Sequence, residues 1–295
     1  MELDSEENQK ILLASGSVNG TIQIWDLNSS YCVNTPIEQK TSLFDLQLIN
    51  SSCIASAGGD FIIKIWDLKY SNCLKTLVGH EDWVKCLELI DNKTIASGSV
   101  DSTIKIWDLN SDKCIRTLTG HESSVCSLQL IDITNLASCS QDNKTKIWDL
   151  KNGNCIRTFC GHEDWVTCLQ LIDNKTIASG SVDSTIKIWD LNSDKCIKTL
   201  IGHVMSVECL ELIDKITLAS GSSDRTIRIW DIVNGNCIKT LFRHEDSVKC
   251  LQLIDNKTIA SGSKDNTIKI WDLNKAKCIK TFIRNWGNQQ ANANA

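Results

Sequence analysis

Residues 247–283 read SVKCLQLIDNKTIASGSKDNTIKIWDLNKAKCIKTFI, and this stretch decides the fold. It contains four short segments rich in strand-forming residues, separated by turn residues such as Asp255-Asn256-Lys257 and Lys264-Asp265-Asn266. Apolar and polar residues alternate in the third segment, where Ile268 and Ile270 flank a lysine. Short alternating segments bounded by turn residues are typical of an antiparallel sheet. The stretch therefore predicts four strands, at 247–254, 258–263, 267–273 and 278–283.

The same pattern recurs along the whole chain with a period of 41 residues. A sheet of this size cannot bury both of its faces alone, whereas seven sheets packed around an axis can, and closing the ring removes exposed edges. We therefore expect an all-β, seven-bladed β-propeller built from seven repeats of 41 residues, rather than an open solenoid. The period is marked by a Trp-Asp dipeptide at Trp25, Trp66, Trp107, Trp148, Trp189, Trp230 and Trp271, and by histidines at His80, His121, His162, His203 and His244.

The first repeat is incomplete. The chain enters the repeat at its second strand, near Ile11, and the inner strand of the first blade would have to lie in the mostly acidic residues 1–8. We expect one propeller domain over residues 1–283, followed by a disordered tail rich in Asn and Ala at 284–295. Three explanations stay open: a three-stranded first blade, a missing strand supplied by the tail, or a chain cut from a longer protein.

Over residues 10–283 the sequence resembles the WD40-repeat family, because its Gly-His, Ser-Gly-Ser-x-Asp and Ile-Trp-Asp elements recur in register. The resemblance implies a structural hydrogen-bonded tetrad in each blade, formed by a histidine, a serine, an aspartate and the tryptophan. A His-Asp-Ser set also resembles a hydrolase triad, but a set that recurs five times is better explained as scaffold. Gln39 replaces the histidine in the second repeat, and Asn19 replaces the aspartate in the first. Two complete tetrads are predicted to be His80, Ser97, Asp101 and Trp107, and His162, Ser179, Asp183 and Trp189.

The composition argues against several kinds of partner and cofactor. The net charge is −5, from 31 basic and 36 acidic residues, so bulk electrostatics favour neither nucleic acid nor anionic lipid. No apolar run is long enough to cross a membrane, and no cysteine pair has zinc-site spacing. We expect no metal and no cofactor.

The 15 cysteines are odd in number, and most of them fall in two registers of the repeat. Equivalent positions on neighbouring packed sheets lie about 10 Å apart or more, too far for a disulfide. We interpret these cysteines as small core residues of a protein in a reducing compartment, the cytoplasm or alternatively the nucleus. The two registers comprise Cys32, Cys73, Cys114, Cys155, Cys196, Cys237 and Cys278, and Cys86, Cys168, Cys209 and Cys250.

Positions at which the repeats differ are the better candidates for recognition. In the family, partners usually bind the rim formed by the loop after the histidine and the turn before the aspartate. Trp83 and Trp165 are the most prominent residues of this rim, because exposed tryptophans are frequent interface anchors; the alternative is that each packs against its own loop. Three lysines could favour acidic peptides, or could simply form a solvated face. The predicted partner-binding residues are Phe44, Trp83, Lys85, Val100, Trp165, Val182, Lys249 and Lys264.

These observations predict a non-enzymatic scaffold, a monomer that binds other proteins or peptides on its rim. One alternative is the substrate-receptor propeller of a ubiquitin ligase, although the sequence lacks an adaptor-binding segment such as an F-box. It also lacks an arginine cluster for phosphopeptides, since Arg225 is alone on the rim. An enzyme with a site in the central channel is a third hypothesis, for which the sequence offers no unique cluster of His, Cys or carboxylate residues.

Overall fold

The computed structural model describes residues 12–29 and 37–283. Within these residues the chain forms six four-stranded antiparallel sheets and one three-stranded sheet, and in each sheet the strands are ordered as they occur in the sequence. We number the sheets 1 to 7 along the chain; sheet 1 has three strands.

The strands have the following bounds. Sheet 1 comprises β1 (Leu12–Gly16), β2 (Thr21–Asp26) and β3 (Ile37–Glu38). Sheet 2 comprises β4 (Leu43–Asn50), β5 (Cys53–Gly58), β6 (Ile62–Asp67) and β7 (Cys73–Val78), and sheet 3 comprises β8 (Val84–Asp91), β9 (Thr94–Ser99), β10 (Ile104–Asp108) and β11 (Lys113–Leu118). Sheet 4 comprises β12 (Val125–Asp132), β13 (Asn135–Ser140), β14 (Lys144–Asp149) and β15 (Cys155–Cys160), and sheet 5 comprises β16 (Val166–Asp173), β17 (Thr176–Ser181), β18 (Thr185–Asp190) and β19 (Cys196–Ile201). Sheet 6 comprises β20 (Val207–Asp214), β21 (Thr217–Ser222), β22 (Thr226–Asp231) and β23 (Asn236–Phe242), and sheet 7 comprises β24 (Val248–Asp255), β25 (Thr258–Ser263), β26 (Thr267–Asp272) and β27 (Lys277–Ile283).

The core consists of seven similar clusters, each lying between two successive sheets. The tryptophan of each Ile-Trp-Asp element packs onto the sheet that precedes its own: Trp107 of sheet 3, for example, joins Ile63 and Leu77 of sheet 2. Trp25 of sheet 1 likewise packs against Ile270 and Phe282 of sheet 7. Sheet 1 therefore contacts both sheet 7 and sheet 2, and the sheets form a closed β-propeller.

The glycine of the Ser-Gly-Ser element is explained by the close approach of neighbouring sheets. A Cβ atom added to Gly98 would lie 2.6 Å from Val125 of the next sheet, and one added to Gly180 would lie 2.7 Å from Val207. At these two positions a side chain would require the neighbouring valine to shift, whereas sheets 2 and 4 accommodate the fully buried Ala57 and Cys139 at the equivalent position. The repeat therefore encodes the packing between sheets as well as the strands.

The structure corrects an expectation about the burial of the cysteines. The first cysteine register was expected to lie in the core, yet Cys73, Cys114 and Cys196 are exposed. This register opens the outermost strand of each sheet, which has no neighbouring strand to cover its outer edge.

Three residues of the second cysteine register, Cys86, Cys168 and Cys209, are buried as expected. The fourth, Cys250, is exposed. All 14 cysteines of the described residues are free thiols. Cys32, the inner strand expected in residues 1–8 and the tail at 284–295 lie outside the described residues. The part of the chain that the structure describes contains no helix that is long and apolar enough to cross a lipid bilayer.

Candidate functional site

The four residues of each predicted tetrad lie in one continuous chain of hydrogen bonds. His80 is 2.7 Å from Asp101 through Nδ1 and 2.7 Å from the Ser97 hydroxyl through Nε2. Because a carboxylate can only accept, Nδ1 donates to Asp101, and Nε2 then accepts from Ser97. The Trp107 indole donates to the same hydroxyl at 2.8 Å. His162, Asp183, Ser179 and Trp189 repeat this geometry with the same distances.

Further hydrogen bonds hold the aspartate of each tetrad as a carboxylate. Burial alone would raise the pKa of Asp101, but donors from Thr103, the backbone of Glu81 and His80 lower it to about 2. The pKa of Asp183 is likewise held well below its ordinary value, against burial, by His162 and Thr185. Burial in turn lowers the pKa of His80, the neighbour of Asp101 in the chain of bonds. Each aspartate thus ties together the loop before the inner strand and the turn between the second and third strands.

The tetrads have the chemistry of a triad but not the access that catalysis needs. The side chains of His80 and His162 are 0% and 1% exposed. The hydroxyls of Ser97 and Ser179 are buried, and each of them accepts from a tryptophan while it bonds to a histidine. A serine in this position cannot reach a substrate, and the set recurs in five sheets. The geometry therefore favours a structural role for the tetrads.

Gln39, which the sequence marks as a departure from the repeat, takes the place of the histidine in sheet 2. Its amide donates to Asp60 at 3.1 Å and its carbonyl oxygen accepts from Ser56 at 2.5 Å, while the Trp66 indole donates to Ser56. The spacing in the sequence was enough to predict this role for Gln39. It precedes its serine and its aspartate by the same intervals as the histidine of the other repeats does. In sheet 1, Asn19 accepts from Thr21 instead.

The two rim tryptophans occupy equivalent places and are equally exposed. Trp83 is 47% exposed and Trp165 is 48% exposed. The backbone carbonyl of each accepts a hydrogen bond from the valine of the nearby turn, Val100 or Val182, at 2.9 Å. The two valines are half-buried. Each tryptophan is therefore fixed at the backbone while about half of its surface faces solvent.

The structure brings three of the predicted rim residues together and pairs a fourth with a residue of another sheet. The Phe44 ring lies 5.5 Å from the Trp83 ring, and the Lys85 ammonium lies 4.0 Å from the centre of the Phe44 ring. Lys249 lies far along the ring from them, in sheet 7, and forms an ion pair with Glu208 of sheet 6 at 2.7 Å. Lys264 is exposed and has no ion pair within residues 12–29 and 37–283.

Sequence reasoning missed a set of partly buried carboxylates on the innermost strands. Glu88 accepts the backbone N–H of Leu130 in the next sheet at 2.7 Å, and Glu211 accepts that of Leu253 at 2.8 Å. Asp45 accepts the N–H of Leu87 in the same manner. Burial raises the pKa of Glu88 to about 7 and that of Asp45 to about 6. The sequence could have revealed these contacts, because Glu or Gln stands at the position of Glu88 in successive repeats. Either side chain supplies an oxygen that accepts the backbone N–H of the next sheet.

Sequence reasoning also missed a row of basic residues on the outermost strands. Lys75 donates to the Leu109 carbonyl of the next sheet, and Lys239 donates to the Leu273 carbonyl. Arg157 forms an ion pair with Asp194 of the next sheet at 2.7 Å. A basic residue recurs here with the 41-residue period, so the sequence contained the signal. These residues fasten successive sheets together.

The described residues contain no group of three or more His, Cys, Asp or Glu side chains arranged to hold a metal ion. Comparison with curated proteins found no match. The family model of the WD domain, G-beta repeat, matches the chain in six segments that together cover more than half of it. The matched segments are residues 5–26, 71–108, 112–149, 153–190, 194–231 and 235–272. Together with the recurring tetrads, these matches confirm that the chain belongs to the WD40-repeat family.

Proposed function

We propose that the chain is a non-enzymatic scaffold that binds peptides or domains of other proteins on the rim that carries Trp83 and Trp165. The observation that carries the proposal is the presence of two half-exposed tryptophans on a rigid frame of hydrogen-bonded tetrads. The WD40 fold supports a role in protein interactions in general. An anchor that is already ordered lowers the entropic cost of association, which supports this rim as the binding surface.

We propose further that sheet 1 is the seventh blade, although its described part has three strands. Its contacts support this count, because Ile22 and Ile24 pack against Ile54 and Trp66 of sheet 2 while Trp25 packs against sheet 7. A seven-membered ring places the loops that carry Trp83 and Trp165 two positions apart, at the same end of the molecule. A single extended partner segment could then contact both loops.

The proposal is tested by capture of partners with the immobilised protein and by calorimetric melting of the same preparations. The double variant Trp83→Ala, Trp165→Ala should lose the captured partners, since removing an anchor aromatic typically weakens binding by at least about 2 kcal/mol. Its melting temperature should stay close to that of the wild type, because surface substitutions cost little stability.

A matched control is the double variant Ile115→Ala, Ile197→Ala. These residues are 57% and 53% exposed on the outermost strands, away from the rim, and this variant should retain every partner. Unchanged capture by the tryptophan variant would place the binding surface elsewhere. A large fall in its melting temperature would show instead that the tryptophans stabilise the fold.

A further inference from the structure

The blades that carry Trp83 and Trp165 are nearly identical, but their surroundings are not. Residues 80–118 and 162–200 differ at three positions, of which one is on the rim: Lys85 in the first segment and Thr167 in the second. The sheet that precedes Trp83 contributes Phe44 and Gly59, whereas the equivalent positions before Trp165 are Cys126 and Gln141. These residues distinguish the surroundings of the two tryptophans.

Around Trp83 these residues form one continuous surface, which we call the aromatic platform: Phe44, Gly59, Trp83 and Lys85. The two rings are 5.5 Å apart and tilted by 34°. Among the described residues, no aromatic ring lies against Trp165 at a similar distance. Aromatic pairs in this arrangement provide a wide apolar surface of fixed shape, which is typical of interface anchors.

Gly59 places no side chain against this surface. A Cβ atom at this position would lie 3.7 Å from the Trp83 indole nitrogen and 3.9 Å from the Phe44 ring, in ordinary van der Waals contact. Alanine would therefore fit, whereas the larger side chains found at the equivalent turns, such as Val100 and Val182, would compete with the indole for the same space. The turn at Gly59 has no side chain where six other turns have one.

The charge of the platform is positive. The Lys85 ammonium lies over the face of Phe44, 4.0 Å from its centre. It has no carboxylate within ion-pair distance in the part of the chain that the structure describes, whereas Lys249, at the equivalent position of sheet 7, is paired with Glu208 at 2.7 Å. A partner carboxylate can bind Lys85 without first displacing an acidic residue of this chain.

We propose that the aromatic platform is the anchor site of this rim and that it takes an extended peptide in which an aliphatic side chain lies next to an aspartate or glutamate. The aliphatic side chain packs on Trp83 and Phe44, and the carboxylate bonds to Lys85. A second copy of this chain is a poorer occupant, because a stable interface buries about 800 Å² on each partner and two aromatic side chains supply well under that area. The inference rests on the proposed function, since it assigns the rim's main contact to one of its two tryptophans.

The test uses the full chain labelled with 5-fluorotryptophan, so that each indole gives a separate fluorine NMR signal, assigned with Trp83→Phe and Trp165→Phe. The probes are the peptide GSELDLSG and its charge-reversed counterpart GSKLKLSG. We expect the acidic peptide to shift the Trp83 signal and to leave the Trp165 signal in place. The affinity for the basic peptide should be lower by at least about tenfold, a change equivalent to one lost charged contact.

Three variants separate shape from charge. Gly59→Val should weaken binding of the acidic peptide by about tenfold or more, while Gly59→Ala should retain it. Lys85→Thr introduces the residue found at the equivalent position beside Trp165, and it should abolish the preference for the acidic peptide. Gln141→Val, at the equivalent turn beside Trp165, is the matched control and should leave binding unchanged.

Equal shifts of both tryptophan signals, equal affinity for the two peptides, or the absence of any shift at millimolar peptide would overturn the inference. Single variants in the partner-capture assay separate it from the proposed function. Loss of partners in Trp165→Ala but not in Trp83→Ala would refute the platform and leave the rim proposal standing. Full capture by the double tryptophan variant would refute the rim proposal itself.

Discussion

The ammonium of Lys280 donates a hydrogen bond of 2.5 Å to the backbone carbonyl of Leu27, which lies 253 residues earlier in the sequence. The same contact joins other neighbouring sheets, as between Lys239 and the Leu273 carbonyl. The Lys280 contact, however, joins the last described sheet to the first, where Trp25 also packs against Phe282. It therefore contributes to closing the ring as well as to local packing.

We expect Lys280→Met to destabilise the junction between sheets 7 and 1. Both Lys280→Met and the control Lys239→Met should lower the free energy of unfolding by about 0.5–1.5 kcal/mol, because each loses its hydrogen bonding to the neighbouring sheet. Hydrogen exchange should distinguish them: Lys280→Met should accelerate exchange in β1 and β2, whereas Lys239→Met should not. Equal exchange of these strands in the two variants would contradict a role in ring closure.

Gln39 predicts that glutamine can replace a tetrad histidine. In sheet 2 it bonds to both Ser56 and Asp60, so His162→Gln should cost much less stability than His162→Ala. The alanine variant leaves Ser179 and Asp183 without their buried partner, which should cost about 1–3 kcal/mol. Chemical denaturation of the two variants measures the difference. The idea fails if both variants are destabilised equally.

The partly buried carboxylate of Glu88 should make the protein less stable as the pH rises. Burial raises the pKa of Glu88 in the folded state to about 7, above its ordinary value of 4.5. Between these values the folded state retains a proton that the unfolded state has lost, so the free energy of unfolding falls as the pH rises through this range. Glu88→Gln keeps an acceptor for the Leu130 N–H and removes the titration, as Gln129 does for Leu171.

The melting temperature of Glu88→Gln should accordingly change less between pH 5 and pH 8 than that of the wild type, and at pH 8 the variant should melt higher. These two pH values bracket the range about 7 in which the proton is lost. Asp45, whose pKa burial raises to about 6, should account for part of the remaining slope. Glu163→Gln, at an exposed position, is the control and should leave the slope unchanged. Parallel curves for Glu88→Gln and the wild type would refute the assignment.

The two cysteine registers should react differently with an alkylating reagent. Cys73, Cys114 and Cys196 are exposed and should be labelled in the folded protein. Burial raises the pKa of Cys168 to about 12, and that of Cys86 far above its ordinary value, so these thiols should react only after unfolding. Peptide mass spectrometry before and after denaturation measures this. Rapid labelling of Cys86 in the folded protein would contradict the burial of this register.

The period of the sequence was sufficient to predict the sheets, their strand order and the tetrads, because each of these features is formed within one repeat or between identical neighbours. The surroundings of individual residues were harder to predict. Trp83 and Trp165 occupy identical repeats, and only the structure shows that Phe44 lies beside one of them. The ion pair of Lys249 with Glu208 likewise depends on the preceding sheet.

The burial of the cysteines shows a different limit. Cys73 lies in a strand-forming segment, as Cys86 does, and composition does not distinguish the outermost strand of a sheet from the innermost. The row of basic residues that includes Lys75 and Lys280 recurs in the sequence, but its partners are backbone carbonyls, which are present at every position. A regular repeat therefore reveals which positions are structural without revealing what each of them contacts.

The two environments of the tryptophans give the protein a built-in optical probe. The seven indoles of the Trp-Asp elements are at most 6% exposed, whereas Trp83 and Trp165 are 47% and 48% exposed. Buried indoles emit at shorter wavelength and are shielded from soluble quenchers, so the long-wavelength edge of the emission should come from the rim. With Trp286, which lies outside the described residues, replaced by phenylalanine, quenching of this edge would report occupation of the rim without any added label.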